Sequence, residues 1–545
     1  MLILSTQLTL AADWYVTQDG AGDLSGQPNV ANAMPVATFN ALTGTGYAGS
    51  NFYFSETFTD YIVIGISGTS GNYVTLDGYV AGDCNPLVEE CTSSAVVSPG
   101  PSFAGMYSGW EGVETAANYV IIQDFRITDA ATGIQFLNGM SHITIRRNYL
   151  HELPARGIDF TWNDWENYVE HTYITIGGAP GQGNKILNAG TGNGSPLFSI
   201  YTANNCVVSY NEFGVTDKNT YGYEGVWFYN VAKTLFEYNK VYGINGVYNG
   251  WYSEGCVAWK GDNSDTIVRF NDVDDCSGFG IDFINVMENG YIYGNKLSNA
   301  DAYGNGVILA TQGRLESEIA RYGVNAPITN INIWSNVLYG NNRNGVGLFY
   351  FPCSEWNELE VCYMDDILIA NNTIVGNGGY NSYIDAGLSH NNGTNIIAKN
   401  NIFSNNYAYT TEQEIYTSNS GELTLGDNNY YDSTGEATLT NIAMEGDAEE
   451  ADPGFVNAGI YDYRLDGTNN VSEGTDLGEC FAVTIQGVLY EPCTNDAINP
   501  ETTDFTTTPP IVNVLNRDIV GWSRGAYAYQ TSGIIPIVLR QFFLD

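Results

Sequence analysis

The chain of 545 residues carries a net charge of −42, because 61 acidic side chains stand against only 19 basic ones. Nucleic acids and anionic membrane surfaces are therefore poor partners, since both bind basic surfaces. Hydrophobic residues make up 43% of the sequence, enough for a continuous core. No stretch approaches the roughly 18 consecutive apolar residues of a transmembrane helix, so we expect no membrane insertion.

The chain begins with an apolar stretch that ends in Leu-Thr-Leu-Ala-Ala. This ending is typical of a secretory signal peptide, although the usual basic start is missing. We interpret residues 1–12 as a signal-peptide remnant and expect a secreted or cell-surface, extracellular protein. Residues 13–118 are expected to form an N-terminal cap and the first turns of the fold.

Short apolar strands that end in asparagine recur through the middle of the chain. From Asn211 onward these asparagines are about 24 to 41 residues apart, the spacing of solenoid repeats. The strands are too short for helices, so the pattern predicts an all-β fold, a right-handed parallel β-helix with terminal caps. Stacked asparagines can then hydrogen-bond from one coil to the next. They are Asn148, Asn211, Asn239, Asn271, Asn295, Asn336, Asn372 and Asn401.

The repeat sets the expected boundaries along the chain. Regular coils run through residues 119–450, with insertions at 161–194 and 313–330, the second of which is expected to form one or two helical turns. Residues 451–530 hold the last coils and a C-terminal cap, because an exposed final coil invites edge-to-edge association. The tail, residues 531–545, is apolar. It either packs back on the solenoid, pairs with another subunit in self-assembly, or continues into a longer chain.

Segments near both ends, together with the repeat, resemble a known group of proteins. Trp14 to Gly26, Gly68 to Gly78 and Asp518 to Tyr529 are similar to the opening and closing segments of secreted bacterial β-helix proteins. Most of the chain resembles the right-handed parallel β-helix proteins of the pectate-lyase-like superfamily. This resemblance implies that the protein binds, cleaves or epimerises polysaccharides in a groove along the coils, although other members are adhesins or tailspikes.

The nine cysteines fit an oxidising compartment. Three pairs close in sequence are expected to form short disulfide loops. Cys256 and Cys276 lie on successive coils and either pair or stay as core thiols, and Cys206 is left over as a buried thiol. The three expected pairs are Cys84 with Cys91, Cys353 with Cys362, and Cys480 with Cys493.

A glycine that starts another strand in each coil aligns the carboxylates Glu224 and Glu254 on consecutive coils. Their Cα atoms would then be one strand spacing apart, roughly 4.8 Å. Such a pair suits a retaining glycosidase, which needs an acid and a nucleophile about 5 to 5.5 Å apart. The same pair could instead hold calcium, the only cofactor we consider, or point outward into solvent. No residues are assigned to a metal site.

Four further polar residues are candidates for catalysis. In some β-helix lyases a lysine abstracts the proton beside bound calcium, which the resemblance would assign to Lys260, unless Lys260 is a surface lysine paired with an acid. No arginine follows one coil beyond it, as those lyases would require. Asp274 and Asp275 form an acidic group in which Asp275 suits a turn. Asp282 has the apolar neighbours Val257 and Ile308 in this alignment, so it is either a general acid with raised pKa or a hydrogen-bonded buried residue.

Aromatic residues concentrate around the same middle coils. Their flat faces and polar edges suit sugar rings, although stacking inside the core is the alternative. The candidate substrate-binding residues are Trp162, Trp165, Trp227, Tyr229, Trp251 and Trp259.

The sequence thus predicts an extracellular polysaccharide-binding β-helix protein. As an enzyme it would be a glycoside hydrolase rather than a calcium-dependent polysaccharide lyase. The alternative is a non-catalytic extracellular structural protein, such as an adhesin, a surface-layer component or a filament subunit.

Overall fold

The structure is a computed structural model that describes residues 12–527 with internal gaps. The gaps are 21–32, 79–85, 88–93, 103, 109–116, 138, 162–168, 192–194, 218–219, 221–223, 246, 249–250, 253–254, 302–303, 312–324, 351–360, 380–383, 409–410, 419–421, 435–436, 446–447, 466–473 and 518–523. The chain divides into two compact units, Met1–Ser253 and Glu254–Asp545. In the described part, no helix has the length and hydropathy needed to cross a lipid bilayer.

The first unit consists of short strands and one helical turn, α1 (Val36–Phe39). Its strands are β1 (Asp13–Thr17), β2 (Met34–Pro35), β3 (Asn51–Phe54), β4 (Thr57–Phe58), β5 (Ile62–Val63), β6 (Val74–Asp77), β7 (Val96–Val97), β8 (Met106–Ser108), β9 (Asn118–Gln123), β10 (Arg126–Ile127) and β11 (Ile134–Leu137). They continue with β12 (Ser141–Arg146), β13 (Tyr149–Leu153), β14 (Ile158–Thr161), β15 (His171–Gly177), β16 (Lys185–Ala189), β17 (Pro196–Ser209), β18 (Glu212–Gly214), β19 (Glu224–Glu237), β20 (Lys240–Tyr242), β21 (Val247–Tyr248) and β22 (Trp251–Tyr252).

The second unit is built in the same way, with one 3₁₀ turn at Ala458–Ile460. Its strands begin with β23 (Val257–Lys260), β24 (Asp262–Arg269), β25 (Asp272–Asp274), β26 (Ile281–Ile284), β27 (Val286–Tyr293), β28 (Lys296–Ser298), β29 (Val307–Thr311), β30 (Asn325–Trp334), β31 (Val337–Tyr339), β32 (Val346–Tyr350), β33 (Val361–Ala370), β34 (Thr373–Val375), β35 (Leu388–His390) and β36 (Thr394–Lys399). The remainder are β37 (Ile402–Ser404), β38 (Tyr407–Ala408), β39 (Thr411–Glu412), β40 (Ile415–Thr417), β41 (Leu423–Gly426), β42 (Asn429–Tyr431), β43 (Leu439–Thr440), β44 (Phe455–Asn457), β45 (Asp462–Leu465), β46 (Val483–Ile485), β47 (Val488–Tyr490), β48 (Asp496–Ile498) and β49 (Val514–Asn516).

Each unit forms three parallel sheets, which we call front, back and side. The back sheet contains β1, β3, β6, β9, β12, β15 and the second halves of β17 and β19 in the first unit, and β24, β27, β30, β33, β36 and β41 in the second. The side sheet contains β4, β7, β10, β13, β16, β18 and β20 in the first unit, and β25, β28, β31, β34, β37 and β42 in the second. In the first unit the front sheet contains β5, β8, β11, β14 and the first halves of β17 and β19. In the second unit it contains β23, β26, β29, β32, β35, β40 and β43. Successive strands of one sheet are joined through the other two sheets, as in a right-handed parallel β-helix. The predicted fold class is confirmed.

The residues of each front strand alternate between core and surface. In β11, Ile134 and Phe136 are fully buried, whereas Gln135 between them points outward. The glycine before the strand is required by close packing. A Cβ added at Gly133 would lie 2.4 Å from the Cδ2 of Leu150 and 2.5 Å from the carbonyl oxygen of Gly157.

The predicted asparagine stack is present in the first unit. Asn148, Asn184, Asn211 and Asn239 follow one another on successive coils, and each Nδ2 donates to the next Oδ1 at 3.0–3.1 Å. Asn184 was missed by the sequence analysis, which treated residues 161–194 as an insertion. That prediction was wrong for most of the segment, because β15 and β16 form a regular coil there.

In the second unit the asparagine stack ends on a carboxylate. The Nδ2 of each asparagine donates to the next Oδ1 at 2.9–3.0 Å, and Asn428 donates to the Oε1 of Glu445 at 2.9 Å. Because every amide points the same way, the last one needs an acceptor that is not an asparagine. The members are Asn271, Asn295, Asn336, Asn372, Asn401 and Asn428.

A second, unpredicted asparagine stack runs beside the first in this unit. Asn341 donates to Asn377 at 2.8 Å, and Asn377 donates to Asn406 at 2.9 Å. Asn406 then donates to Glu414, which is fully buried. Both stacks of the second unit therefore end on a glutamate.

The C-terminal segment lies along the side of the second unit's coils. The indole Nε1 of Trp334 donates to the carbonyl of Cys493 at 3.0 Å, and Ser335 Oγ donates to the carbonyl of Asp496 at 2.7 Å. Farther on, the amide of Ala526 donates to Thr373 Oγ1 at 2.9 Å. Of the predicted insertion 313–330, residues 325–330 belong to β30, and 313–324 lie outside the described residues, as does the tail.

The disulfide predictions are partly resolved. Cys480 and Cys493 are bonded as predicted, and Cys256 and Cys276 also form a disulfide. Cys206 is a buried free thiol, which confirms its predicted state. The remaining two pairs include Cys84, Cys91 and Cys353, which lie outside the described residues.

Candidate functional site

Polar side chains form an outward-facing row on the front sheet of the first unit. Gln135 lies opposite Asp159, Asp159 opposite Ser199, and Ser199 opposite Trp227 on four neighbouring strands. Each of them follows a buried hydrophobic residue in its strand, so the alternation of β-structure turns all four toward the same surface.

Asp159 is the centre of this row. Its side chain is buried, yet three neighbours donate hydrogen bonds to it. Arg156 Nη1 lies 2.7 Å and Ser199 Oγ 2.6 Å from Oδ1, and Gln135 Nε2 lies 3.1 Å from Oδ2. Three donors of this kind offset much of the cost of burying a carboxylate.

Arg156 connects this carboxylate to a second acid and to a tyrosine. Its guanidinium lies 5.5 Å from the ring centre of Tyr201. Burial opposes its charge, but Asp159, Tyr201 and Glu224 together raise the pKa of Arg156 above the ordinary value. Burial also raises the pKa of Tyr201 to about 12, against the opposing effect of Arg156, so this hydroxyl is neutral at physiological pH. Two carboxylates, a guanidinium and a phenol therefore interact on one surface.

Aromatic rings continue the surface beyond the polar row. The rings of Tyr201 and Tyr229 lie side by side on adjacent strands, with centres 5.8 Å apart. Trp227 precedes Tyr229 by two residues on the same face and is half-buried, between the fully buried Val226 and Phe228. Rings that are partly exposed beside hydrogen-bonding groups are the usual composition of a sugar-binding surface.

Asp282, on the front sheet of the second unit, has a very different environment. Its neighbours across the sheet are Ala258 and Ile308. The prediction of Ile308 is confirmed, whereas Val257 was wrong by one residue. Ile308 belongs to an apolar cluster with Ile284, Ala310 and Phe349 on this surface.

The carboxyl group of Asp282 lies near the charge of Lys260 but is otherwise in apolar surroundings. It is fully buried, and neither oxygen has a hydrogen-bond partner among the described residues. Burial raises the pKa of Asp282 well above its usual value, and the nearby charge of Lys260 opposes that rise only in part. Desolvation thus favours the protonated form of this group at neutral pH.

The structure describes one member of the predicted carboxylate pair. Glu224 is buried at the start of β19, opposite Pro196. Glu254 lies outside the described residues. In the second unit Val257 lies opposite Ile281, so Cys256, and not Gly255, is level with Gly280. The residue that precedes this level position is therefore Gly255 and not Glu254. The glycine alignment had therefore slipped by one residue at this coil.

The remaining acidic candidates have structural partners. Asp274 accepts hydrogen bonds from Ser298 Oγ and Asn299 Nδ2, both at 2.7 Å. Asp275 has a positive φ of 59°, which agrees with a turn position. Among the described side chains, no group of three or more His, Cys, Asp or Glu residues is arranged to hold a metal ion.

Of the aromatic candidates, Trp227 and Tyr229 lie on the outward surface. Trp259 is fully buried and packs edge-on against Phe283 at 5.3 Å, so the prediction that it binds substrate was wrong. In the same strand Ala258 and Lys260 point outward, so Trp259 between them points into the core. Trp162 and Trp165 lie outside the described residues, and for Trp251 only the backbone is described.

The predicted site residues did not include Arg156, Asp159, Ser199 or Tyr201. One signal was available. The four residues Gly-Ile-Asp-Phe occur at both Gly157–Phe160 and Gly280–Phe283, which marks the same outward position of two front strands. The arginine three residues before Asp159 completes an ion pair at the first of these positions.

These features define a parallel β-helix protein with a polar and aromatic surface on the front sheet of its first unit. No protein-family model matches the chain, and no curated protein matches it. Among solved structures, an alginate lyase from Paenibacillus is 16% identical, with a TM-score of 0.34 over 56% of this chain and 91% of the lyase. The Dettilon tailspike protein is 14% identical, with a TM-score of 0.41 over 68% of this chain and 61% of the tailspike.

A third similar structure is a lacto-N-biosidase from Eubacterium ramulus. It is 11% identical, with a TM-score of 0.41 over 74% of this chain and 68% of the biosidase. At these identities and TM-scores the similarities decide nothing about activity.

Proposed function

We propose that this protein binds a neutral polysaccharide along the front sheet of its first unit. The observation that carries the proposal is the position of Trp227, Tyr201 and Tyr229 on the outward face, beside the ion pair of Arg156 and Asp159. The rings offer apolar faces to sugar rings, and the polar groups can fix the orientation of hydroxyls.

Charge favours a neutral glycan over an acidic one. The guanidinium of Arg156 is neutralised by Asp159 at 2.7 Å, and Glu224 adds a further negative charge to the same surface. The net charge of −42 repels polyanions at longer range. A polyuronate would therefore meet a surface of its own sign.

Hydrolysis is the activity that we favour for this site. Glu224 is the candidate acid or base, because it interacts with Arg156 and Tyr201 in the same cluster as Asp159. Glu254 remains the predicted second carboxylate. The candidate lyase residue Lys260 lies near the buried Asp282 in the second unit, and the need for calcium stays untested.

We also infer that the protein functions outside the cell. The disulfides Cys256–Cys276 and Cys480–Cys493 support this location because disulfides persist in oxidising compartments.

The first experiment is a binding and cleavage assay on a panel of neutral and acidic polysaccharides. We expect Trp227→Ala to weaken binding of a neutral glycan about tenfold, the loss of one aromatic contact. Tyr173→Ala is the matched control, because Tyr173 is 40% exposed on the back strand β15 of the same unit.

Glu224→Gln separates binding from catalysis. If hydrolysis is correct, this variant keeps the glycan bound but releases no new reducing ends. Binding without cleavage by the unmodified protein would favour the non-catalytic adhesin or surface protein. Preferred binding of a polyuronate, or equal losses in Trp227→Ala and Tyr173→Ala, would overturn the proposed site.

A further inference from the structure

Basic side chains form an outward row on the side sheet of the first unit. Arg126, Tyr149, Lys185, Glu212 and Lys240 lie opposite one another on the consecutive strands β10, β13, β16, β18 and β20. Each of these residues is followed in its strand by a fully buried apolar residue, so all five point away from the core. We call these five residues the basic row.

The basic row carries more positive than negative charge. Lys185 pairs with the buried Glu212 at 3.3 Å, whereas among the described side chains neither Arg126 nor Lys240 forms an ion pair with a carboxylate. Arg126 instead donates from Nε to Nε2 of His151 at 3.0 Å. The three cations are partly exposed. They stand against one carboxylate, although acids greatly outnumber bases in the chain as a whole.

Aromatic rings lie between these cations. The guanidinium of Arg126 and Nζ of Lys185 lie 5.8 and 6.0 Å from the ring centre of Tyr149. Nζ of Lys240 lies 5.8 Å from the ring centre of Tyr242. Both rings are partly exposed, so the surface offers apolar faces beside its positive charges.

The ring of Tyr242 lies across the preceding strand, β18. Gly214 in that strand makes room for it, since a Cβ there would lie 2.4 Å from the Cζ of Tyr242. The hydroxyl of Tyr242 donates to Oε1 of Glu212, also on β18, at 2.7 Å. Along the row the order is therefore cation, ring, cation, ring, cation.

The side sheet of the second unit differs in charge and in cover. Among the described residues of its outward row, Lys296 is the one cation, and it pairs with Asp272 at 2.9 Å. Farther along that row, Val337 packs in one cluster with Tyr463 and Ile498 of the C-terminal segment. That surface is an internal contact, whereas the basic row of the first unit is partly exposed.

The cations of the basic row recur on every second strand. Because neighbouring strands are about 4.8 Å apart, Arg126, Lys185 and Lys240 follow one another at intervals of roughly 10 Å. A nucleic-acid strand carries a phosphate about every 3.4 Å, so most of its charges would meet no cation here. An extended disaccharide is about as long as the interval between two of these cations. A chain with one carboxylate in every disaccharide therefore matches the row.

We propose that the basic row binds an acidic polysaccharide in which neutral and acidic sugars alternate. The carboxylates of this chain contact Arg126, Lys185 and Lys240, and its neutral sugars lie over the rings of Tyr149 and Tyr242. The inference does not rest on the glycan site of the front sheet.

Hyaluronan, in which glucuronate alternates with an uncharged sugar, is the probe. Calorimetry on the full chain at about 0.15 M salt suits the test, because a Debye length of about 8 Å screens repulsion by distant acids and leaves direct contacts in place. We expect Lys240→Gln to weaken binding about threefold, and Arg126→Gln combined with Lys240→Gln about tenfold. Lys399→Gln makes the same change of charge on β36 of the second unit and should bind as the unmodified protein does.

Glu212→Gln tests the proposal in the opposite direction. The glutamine keeps an acceptor for Tyr242 and leaves Lys185 without its carboxylate, so hyaluronan should bind about threefold more tightly. A gain of affinity does not arise from a variant that fails to fold.

Equal affinities of Lys240→Gln and Lys399→Gln would overturn the proposal, as would a lack of hyaluronan binding by the unmodified protein. Tighter binding of polygalacturonate or of single-stranded DNA, whose charges are more closely spaced, would overturn it as well.

Discussion

The two units place the same four residues, Gly-Ile-Asp-Phe, on their front sheets and give the aspartate opposite environments. Asp159 receives hydrogen bonds from Gln135 and Ser199 and an ion pair from Arg156. Asp282 lies between Ala258 and Ile308 and has no hydrogen-bond partner in the described part of the chain.

The difference shows that residues outside the shared four decide the chemistry of the aspartate: Arg156 just before the strand, and the residues level with the aspartate on the neighbouring coils. In a parallel β-helix each side chain has one neighbour on the preceding coil and one on the following coil, about 4.8 Å away. Polar neighbours keep a buried carboxylate charged, whereas apolar neighbours make the neutral acid more favourable.

A third carboxylate, Glu414, extends this comparison, because it is buried and also accepts hydrogen bonds. Its substitution has the largest expected effect on stability. Burial raises its pKa to about 8, although hydrogen bonds from Asn406 oppose the rise. Because its folded-state pKa is raised, protonated Glu414 contributes stability to the folded protein. This contribution is complete below the usual pKa of 4.5 and is lost as the pH rises toward 8.

Glu414→Gln keeps a carbonyl acceptor for Asn406 and removes the titration. We expect the unmodified protein to lose on the order of 1 kcal/mol per pH unit between these pH values relative to the variant, as measured by urea unfolding. Parallel stability curves for the two proteins would contradict the prediction.

The cation beside Asp159 is the next feature to remove. Arg156→Met leaves a buried carboxylate without its counter-charge, which we expect to cost about 3 kcal/mol of unfolding free energy at pH 7. Chemical denaturation gives the value. The double variant Arg156→Met with Asp159→Asn should recover most of the loss, since no buried charge remains, and failure to recover would attribute the loss to packing instead.

Removing the charge of Asp282 should stabilise the protein at high pH, whereas removing the charge of Arg156 should destabilise it. The pKa of Asp282 is raised by burial, so its contribution to stability is present at low pH and is lost as pH rises through the folded-state pKa. Asp282→Asn should therefore be more stable than the unmodified protein at pH 8, by about 1 to 2 kcal/mol, and gain nothing at pH 4. An equal gain at both pH values in thermal or urea unfolding would disprove the electrostatic explanation.

The smallest expected effect comes from converting one environment into the other. Ile308→Ser places a hydroxyl beside Asp282, as Ser199 stands beside Asp159. We expect the pKa of Asp282 to fall by the equivalent of one hydrogen bond, about 1 kcal/mol. Carbon-13 NMR titration of labelled aspartate measures the shift. Ile308→Ala, which creates space without a donor, is the control and should leave the pKa high.

Much of the fold could be predicted from the sequence because the asparagine pattern is strict. Asn184 escaped because Gly-Gln-Gly precedes it in place of an apolar strand. The second stack escaped because Asn341 and Asn377 follow glycines and resemble ordinary turn residues. Repeats reveal positions, but they do not reveal which turn sequences belong to the same stack.

The candidate site was less predictable because it depends on register. A slip of one residue at Gly255 misaligned that coil with the following one, and the pair of Glu224 and Glu254 stays a prediction because Glu254 lies outside the described residues. The contact of Arg156 with Asp159 was within reach, since the two are three residues apart. Ser199 and Gln135 contact Asp159 from other coils, and only the structure shows which residues of those coils lie level with it.

The common direction of the asparagine amides has a consequence for how such a protein changes its length. Asn271 and Asn295 make the same bonds to their neighbours and are separated by one complete coil of 24 residues. Excising or duplicating a segment between two such asparagines preserves the donor and acceptor of each amide in the asparagine stack, provided that the cut is a whole coil. Only the terminal glutamates are tied to one end. The second unit can therefore grow or shrink by internal duplication, whereas its final coil cannot be replaced by an inner one.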